Sequence, residues 1–234
     1  MNVVAAIRFY IKKMTEESGA GMKILLLDQE TVTYLDFIIK NIFLFWRSQL
    51  ICLKKYKQKS IVSVAYSQSE IASKEVYLFD LLENPNRDFI KHLKCLCLIR
   101  PTKQNILNLI RELKNPKYGQ YYLYFTNAID RMDVKSLAEN DEQEVIREVQ
   151  EFYADYMAVS QHVFSINIPK CGEIKTHNWD ENALKRTSQG IISVLLSLKK
   201  SPVIRYQNSS EMARKLAESV RVIALTNLFY LKHI

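Results

Sequence analysis

The chain has 234 residues, a formal net charge of +8, 48% hydrophobic residues and 25% charged residues. That is enough apolar content to bury a core and too much for a disordered chain. Five Gly and five Pro exclude collagen-like and low-complexity classes and leave little material for a glycine-rich phosphate loop. The charge is uneven: segment 32–59 holds five Lys and Arg47 against Asp36, a net +5 of the +8. A polyanionic partner would be sought there before the body of the chain.

Val3, Val4, Ile7, Ile11 and Met14 recur at helical spacing within 2–17, and Ser18-Gly19-Ala20-Gly21 ends that helix. MKILLL over Met22–Leu27 is a continuous apolar run closed by Asp28, as in a buried parallel strand. Segment 61–74 reads as a helix, Val76–Leu82 as a second strand and Asn86–Leu93 as a short helix. Cys95–Ile99 reads as a third strand, stopped by Arg100-Pro101-Thr102. Thr102 is an N-cap for a helix over Asn105–Leu113, with Ile106, Leu109, Ile110 and Leu113 on one face. Tyr121–Phe125 is a fourth strand, Asp133–Glu139 and Gln143–Tyr153 read as helices, and Tyr156–Ile168 ends in a fifth strand, VFSINI. Strands alternating with helices predict an α/β class: a five-stranded parallel, flavodoxin-like sheet with helices on both faces. That unit ends near Asn167. A polar connection over 168–181 leads into helices over Ala183–Lys200 and Ser209–Val220, the helical start of a second, truncated domain.

Sheets of this kind bind ligands at the carboxyl ends of their strands. Asp28 stands where a phospho-acceptor would, but the third strand ends without the second acid that this chemistry needs. Gly19 and Gly21 precede the first strand, whereas a dinucleotide fingerprint follows it. No GxxxxGK[ST], GxSxG or HExxH occurs. Cys95 and Cys97 share a strand face, yet no second pair and no nearby His completes a zinc set, and His92, His162, His177 and His233 are scattered. The reading is a non-enzyme with no catalytic residue, no cofactor and no metal. Leu35–Leu53 has the length of a membrane span, but Asp36, Lys40 and Arg47 each cost roughly 2.5–3.5 kcal/mol near a bilayer centre, so no transmembrane segment is expected. A peripheral amphipathic patch beside KKYKQK is the remaining membrane reading. The opening segment carries charges throughout, unlike a signal peptide, which predicts a reducing, cytosolic setting.

Collinear stretches go further. GMKILLLDQET, YSQSEIASKEVYLFDLL, LIRPT, ELKNPKYGQYYLYFTN, DVKSLAENDEQEV, HVFSIN, NWDENALKRTSQGI and SSEMARKLAESV resemble, in order, the amino-terminal part of an SM (Sec/Munc-like) family protein. The resemblance covers 1–31 and 60–221, leaving 32–59 as an insert and 222–234 as a divergent tail. It implies a non-enzymatic SNARE-binding protein of vesicle docking and fusion in Golgi, endosome and vacuole traffic. Such a protein is cytoplasmic, and reaches membranes peripherally through a syntaxin-type SNARE, with no nucleic acid partner. It further implies a pocket for the syntaxin amino-terminal peptide on Val134, Leu137, Ala138, Val145, Ile146 and Val149, with Glu148 among the rim acids. Helical spacing supports two faces: Val134, Leu137 and Ala138, then Val145, Ile146 and Val149. Three other readings stand beside it: a flavodoxin-like small-ligand or nucleotide-binding enzyme, a nucleic-acid binder through the basic insert 32–59, and, for the pocket, apolar residues that simply pack on the sheet.

Overall fold

The computed structural model describes residues 2–29, 31, 66–168, 171–173 and 178–231. The insert 32–59 and its membrane and nucleic-acid readings lie outside the described residues. Helix α1 (Val3–Glu17) opens on Asn2, whose side chain accepts from the Ala5 N–H. The turn at Gly19 and Gly21, both at positive φ, feeds strand β1 (Lys23–Leu27), buried along its whole length. A short helix α2 (Gln68–Ala72) begins with a capping box between Ser67 and Glu70. Then come β2 (Val76–Leu81), β3 (Ile90–Ile99), α3 (Lys103–Lys114), β4 (Tyr118–Phe125), α4 (Arg131–Glu139) and β5 (Ile146–Glu151). Strands β1 to β5 form one parallel sheet in the order β2-β1-β3-β4-β5, the doubly wound flavodoxin-like arrangement. Two short antiparallel pairs follow, β6 (Met157–Ser160) with β7 (Val163–Ser165) and β8 (Gly172–Glu173) with β9 (Asn178–Trp179). Helices α5 (Glu181–Leu198) and α6 (Glu211–Leu231) close the order.

Side-chain alternation along the strands makes two cores. Leu25, Leu27, Leu96, Leu98 and Tyr124 meet Ile7, Ile11 and Met14 of α1 on one face. Ile24, Leu26, Cys95, Cys97, Tyr121, Leu123 and Phe125 meet Ile106, Leu109 and Leu113 of α3 and Leu137 of α4 on the other. Cys95 and Cys97 share a face as expected, but as buried core thiols. Burial pushes the Cys95 thiol well above its usual range. A third cluster, Ile192, Leu196 and Val220, joins α5 to α6.

Three predicted elements are corrected. The helix over Asn86–Leu93 is absent: β3 starts early, at Ile90, whose N–H donates to the Lys117 carbonyl (2.9 Å), and a bulge between Ile90 and Lys94 brings the Lys91 carbonyl against Gly119 too closely for any Cβ. The helix over Gln143–Tyr153 is β5. The Asp141 carboxylate accepts the Val145 and Ile146 N–H groups (3.0 and 2.9 Å), which ends any helical continuation, and the open edge of β4 offers a ladder instead. The fifth strand expected in VFSINI is consequently displaced: its Val163–Ser165 form β7, which pairs with β6 outside the sheet.

Two exposed carboxylates set an acid dependence. Glu70 is held below the usual carboxylate range by the Ser67 N–H and hydroxyl, then by Arg8, and Glu75 by the Lys23 ammonium (3.0 Å) and the Gly21 N–H. Their folded pKa lies below the unfolded one, so their contribution is complete above about pH 4.3 and is lost as pH falls through the depressed values. The difference in urea midpoint between the unmodified chain and Glu70→Gln/Glu75→Gln should therefore hold down to that pH and shrink below it.

Candidate functional site

Helix α4 and strand β5 place the predicted pocket residues. Asp130 caps α4 by accepting from the Met132 N–H (2.9 Å). Just before the helix, the Ile129 N–H donates to Glu151 at the far end of β5 (2.9 Å). At the other end Leu137 packs with Val145 ahead of β5. Helix α4 is thus tied to the two ends of the edge strand, and Val134 lies between those ties in the chain.

A β-bulge decides which β5 residues join it. Tyr121 pairs with Ile146 but Tyr122 pairs with Glu148, so Arg147 is the extra residue. Ile146 and Val149 therefore face the α4 side, opposite Tyr121 and Leu123, while Glu148 and Gln150 turn to the α1 side. Ile146 and Val149 thus share a side through a bulged strand, not through the helical face that was expected for Val145, Ile146 and Val149. Within the group, Leu137 is 1% exposed and Val145 is also buried; Ile146 packs against the same cluster. Val134 is half-buried, Ala138 is exposed and Val149 is 39% exposed. Of the predicted set, Val134, Ala138 and Val149 are thus accessible, whereas Leu137 and Val145 are buried.

Glu148 is not brought into this group. Its carboxylate accepts from the Tyr124 hydroxyl (3.0 Å) and from Gln150 on the opposite face. Burial, then this carboxylate, pushes the Tyr124 hydroxyl far up. Glu139, Glu142, Glu144 and Glu151 are exposed; Asp141, which builds the loop, is half-buried. Sequence reasoning counted Asp141 among the rim acids and missed that it builds the loop. Its signal was an acid just past the helix end, placed to bond N–H groups four and five residues on.

The carboxyl ends of the strands are closed by polar clusters. The buried Asp28 carboxylate accepts from the N–H groups of Thr31 and Arg100 (2.5 Å for the latter) and from Asn105 Nδ2 (2.8 Å). Asp155, beyond β5, is equally buried. Its Oδ2 lies 3.3 Å from Arg100 Nε, 3.0 Å from Arg186 Nη1 and 3.0 Å from Asn127 Nδ2. Burial pushes the Asp155 carboxyl up, and Arg186 and Arg100 pull it back. Arg100 also donates to Gln189 Oε1 (3.0 Å), so the cluster fastens α5 over the strand ends. Among the described residues, no group of three His, Cys, Asp or Glu side chains could hold a metal ion. No described helix is long and apolar enough to cross a membrane.

Comparison with known proteins agrees with the topology. The model described as "Sec1 family" matches residues 57–233. Vacuolar protein sorting-associated protein 45 of Rattus norvegicus is 50% identical over 223 residues, 95% of this chain and 34% of that protein. The Homo sapiens protein of the same name gives the same identity and coverage. The chain thus spans about a third of the length of the curated relatives it matches. Among solved structures, the SM protein Vps45 in complex with the Qa SNARE Tlg2 (1–310) superimposes with a TM-score of 0.81 at 37% identity, covering 97% of this chain and 37% of that one. With a parallel sheet in the order 2-1-3-4-5, a helical segment fastened over its strand ends and a family match across most of its length, the chain belongs to the Sec1 family.

Proposed function

We propose that this chain is a SNARE-binding part of a Sec1-family protein that acts in vesicle docking and fusion in Golgi, endosome and vacuole traffic. It works by binding, not catalysis, and meets those membranes from the cytoplasm through a syntaxin-type SNARE. One observation carries the reading: the likeness to Vps45, solved with the Qa SNARE Tlg2, extends over 97% of this chain. The binding surface we assign is the α4–β5 face, where Val134, Ala138 and Val149 are accessible and Glu139, Glu142, Glu144 and Glu151 are exposed. Such a face suits a peptide with one apolar anchor and a Lys or Arg. Against the enzyme alternative speak Asp28 and Asp155, the strand-end carboxylates, each already engaged by neighbouring groups of the chain.

The test follows exposure. Leu137 is unsuited, since a charge at a fully buried position would unfold the domain. Val149→Lys should leave the circular dichroism spectrum unchanged and weaken binding of a syntaxin amino-terminal peptide by at least about tenfold, the loss expected when a side chain contributing roughly 1.4 kcal/mol or more is replaced. Unchanged affinity with an intact fold moves the site elsewhere. Nucleotide binding by the unmodified chain would restore the alternative.

A further inference from the structure

Helix α3, KQNILNLIRELK, directs Ile106, Leu109 and Leu113 into the core. Its one acid, Glu112, also points inward, where it is held by Arg87 (2.7 Å) and Tyr121 (2.6 Å). What remains outside is Lys103, Leu107, Arg111 and Lys114, spaced four, four and three residues apart along one face and all exposed. Two more cations gather around Pro116, two residues past the helix end. Lys117 Nζ stands 5.6 Å from the Phe89 ring centroid, and Lys91 Nζ donates to the Pro116 carbonyl (2.6 Å). Lys117 Nζ donates to the Pro85 carbonyl (2.8 Å). These acceptors are carbonyls, so the positive charges are not neutralised. Among the described residues none of the five cations is in an ion pair. Asp88, beside Phe89, is the acid within the face, while the neighbouring α4 mixes Arg131 and Lys135 with Asp133 and Glu139. Two large apolar side chains stand out between the cations: Leu107 at 49% exposure and Phe89 at 60%.

We propose that this face docks on an anionic phospholipid surface. Each Lys or Arg near such a surface contributes about 1 kcal/mol, and Leu107 and Phe89 are placed to enter the headgroup layer. Charge complementarity alone would also suit nucleic acid. The outward Leu107 in the middle of the basic stripe favours lipid, because it gains nothing against a phosphate backbone.

The test is flotation of the full chain with vesicles of phosphatidylcholine alone or of three parts phosphatidylcholine to one of phosphatidylserine. Binding to the anionic vesicles only is expected, weakened by salt. Lys103→Gln/Arg111→Gln/Lys114→Gln should reduce it at least about tenfold, since three charges contribute about 1 kcal/mol each. Leu107→Ser/Phe89→Ser should reduce it while leaving the salt dependence. The substituted side chains are exposed, so an unchanged circular dichroism spectrum is expected in both variants. Equal binding to neutral vesicles, no binding to either, or anionic binding that the triple variant retains, as the basic segment 32–59 would give, overturns the proposal. So does binding to duplex DNA that the triple variant loses in the absence of vesicle binding.

Discussion

Glu112→Ala should destabilise the chain by about 3–5 kcal/mol, the cost of leaving one partner of a buried ion pair uncompensated. Both side chains of the Arg87–Glu112 pair are 4% exposed. The carboxylate takes Arg87 Nη2 on one oxygen and the Tyr121 hydroxyl on the other. That hydroxyl in turn accepts the N–H groups of Lys117 and Tyr118 (3.0 and 3.2 Å) where the chain turns into β4. Removing the carboxylate strands a guanidinium beneath α3 and unties the start of β4. Burial and Glu112 together push the Tyr121 hydroxyl far above its ordinary range, so it stays a neutral donor. The check is the urea midpoint at neutral pH. The double variant Arg87→Met/Glu112→Leu should recover most of the loss, because no buried charge is then left unpaired. A double variant no more stable than Glu112→Ala would mean that the site needs its hydrogen bonds rather than its charge balance.

The second large effect is expected at Asp155. Asp155→Ala removes the carboxylate on which Arg100, Arg186 and Asn127 converge and should cost about 3 kcal/mol, again because buried cations lose their partner. Unlike the first case, the loss should be local. Arg100 and Asn127 belong to the strand ends, whereas Arg186 and Gln189 belong to α5, so the cluster is a fastening between two parts of the chain. Hydrogen exchange should speed up in α5 and α6 before it does in β1, β3 and β4. Asp155→Asn keeps the shape without the charge and should fall between wild type and Ala, since hydrogen bonds to charged groups are the stronger ones. Uniform acceleration across the sheet would show that the cluster supports the whole fold.

These two clusters were not legible in the sequence, for a common reason. Arg87 and Glu112 are 25 positions apart, and Asp155 meets Arg186 across 31. Nothing local distinguishes them from solvated charges. The strand–helix alternation was legible because burial on both faces demands continuous apolar runs, as in KILLL and CLCLI. The misread stretch that bears on the site was EVIREVQEFY. Val145, Ile146 and Val149 satisfy helical spacing, and they satisfy a strand equally once one bulge is allowed. Asp141 and the free edge of β4 decide between the two, and both act through space.

The sequence by itself determined the class of this protein. The apolar runs, their punctuation by polar turns and the spacing within α1, α3 and α5 specify a parallel sheet covered on both sides, since each pattern has one way to hide its apolar face. Tertiary structure decided the rest: which run completes the sheet, which valine of the α4–β5 face remains accessible, and that Asp28 and Asp155 at the strand ends are engaged by neighbouring groups of the chain. Those outcomes depend on pairing between distant groups, where one displaced residue reverses the direction of a side chain, and no spacing along the chain encodes that.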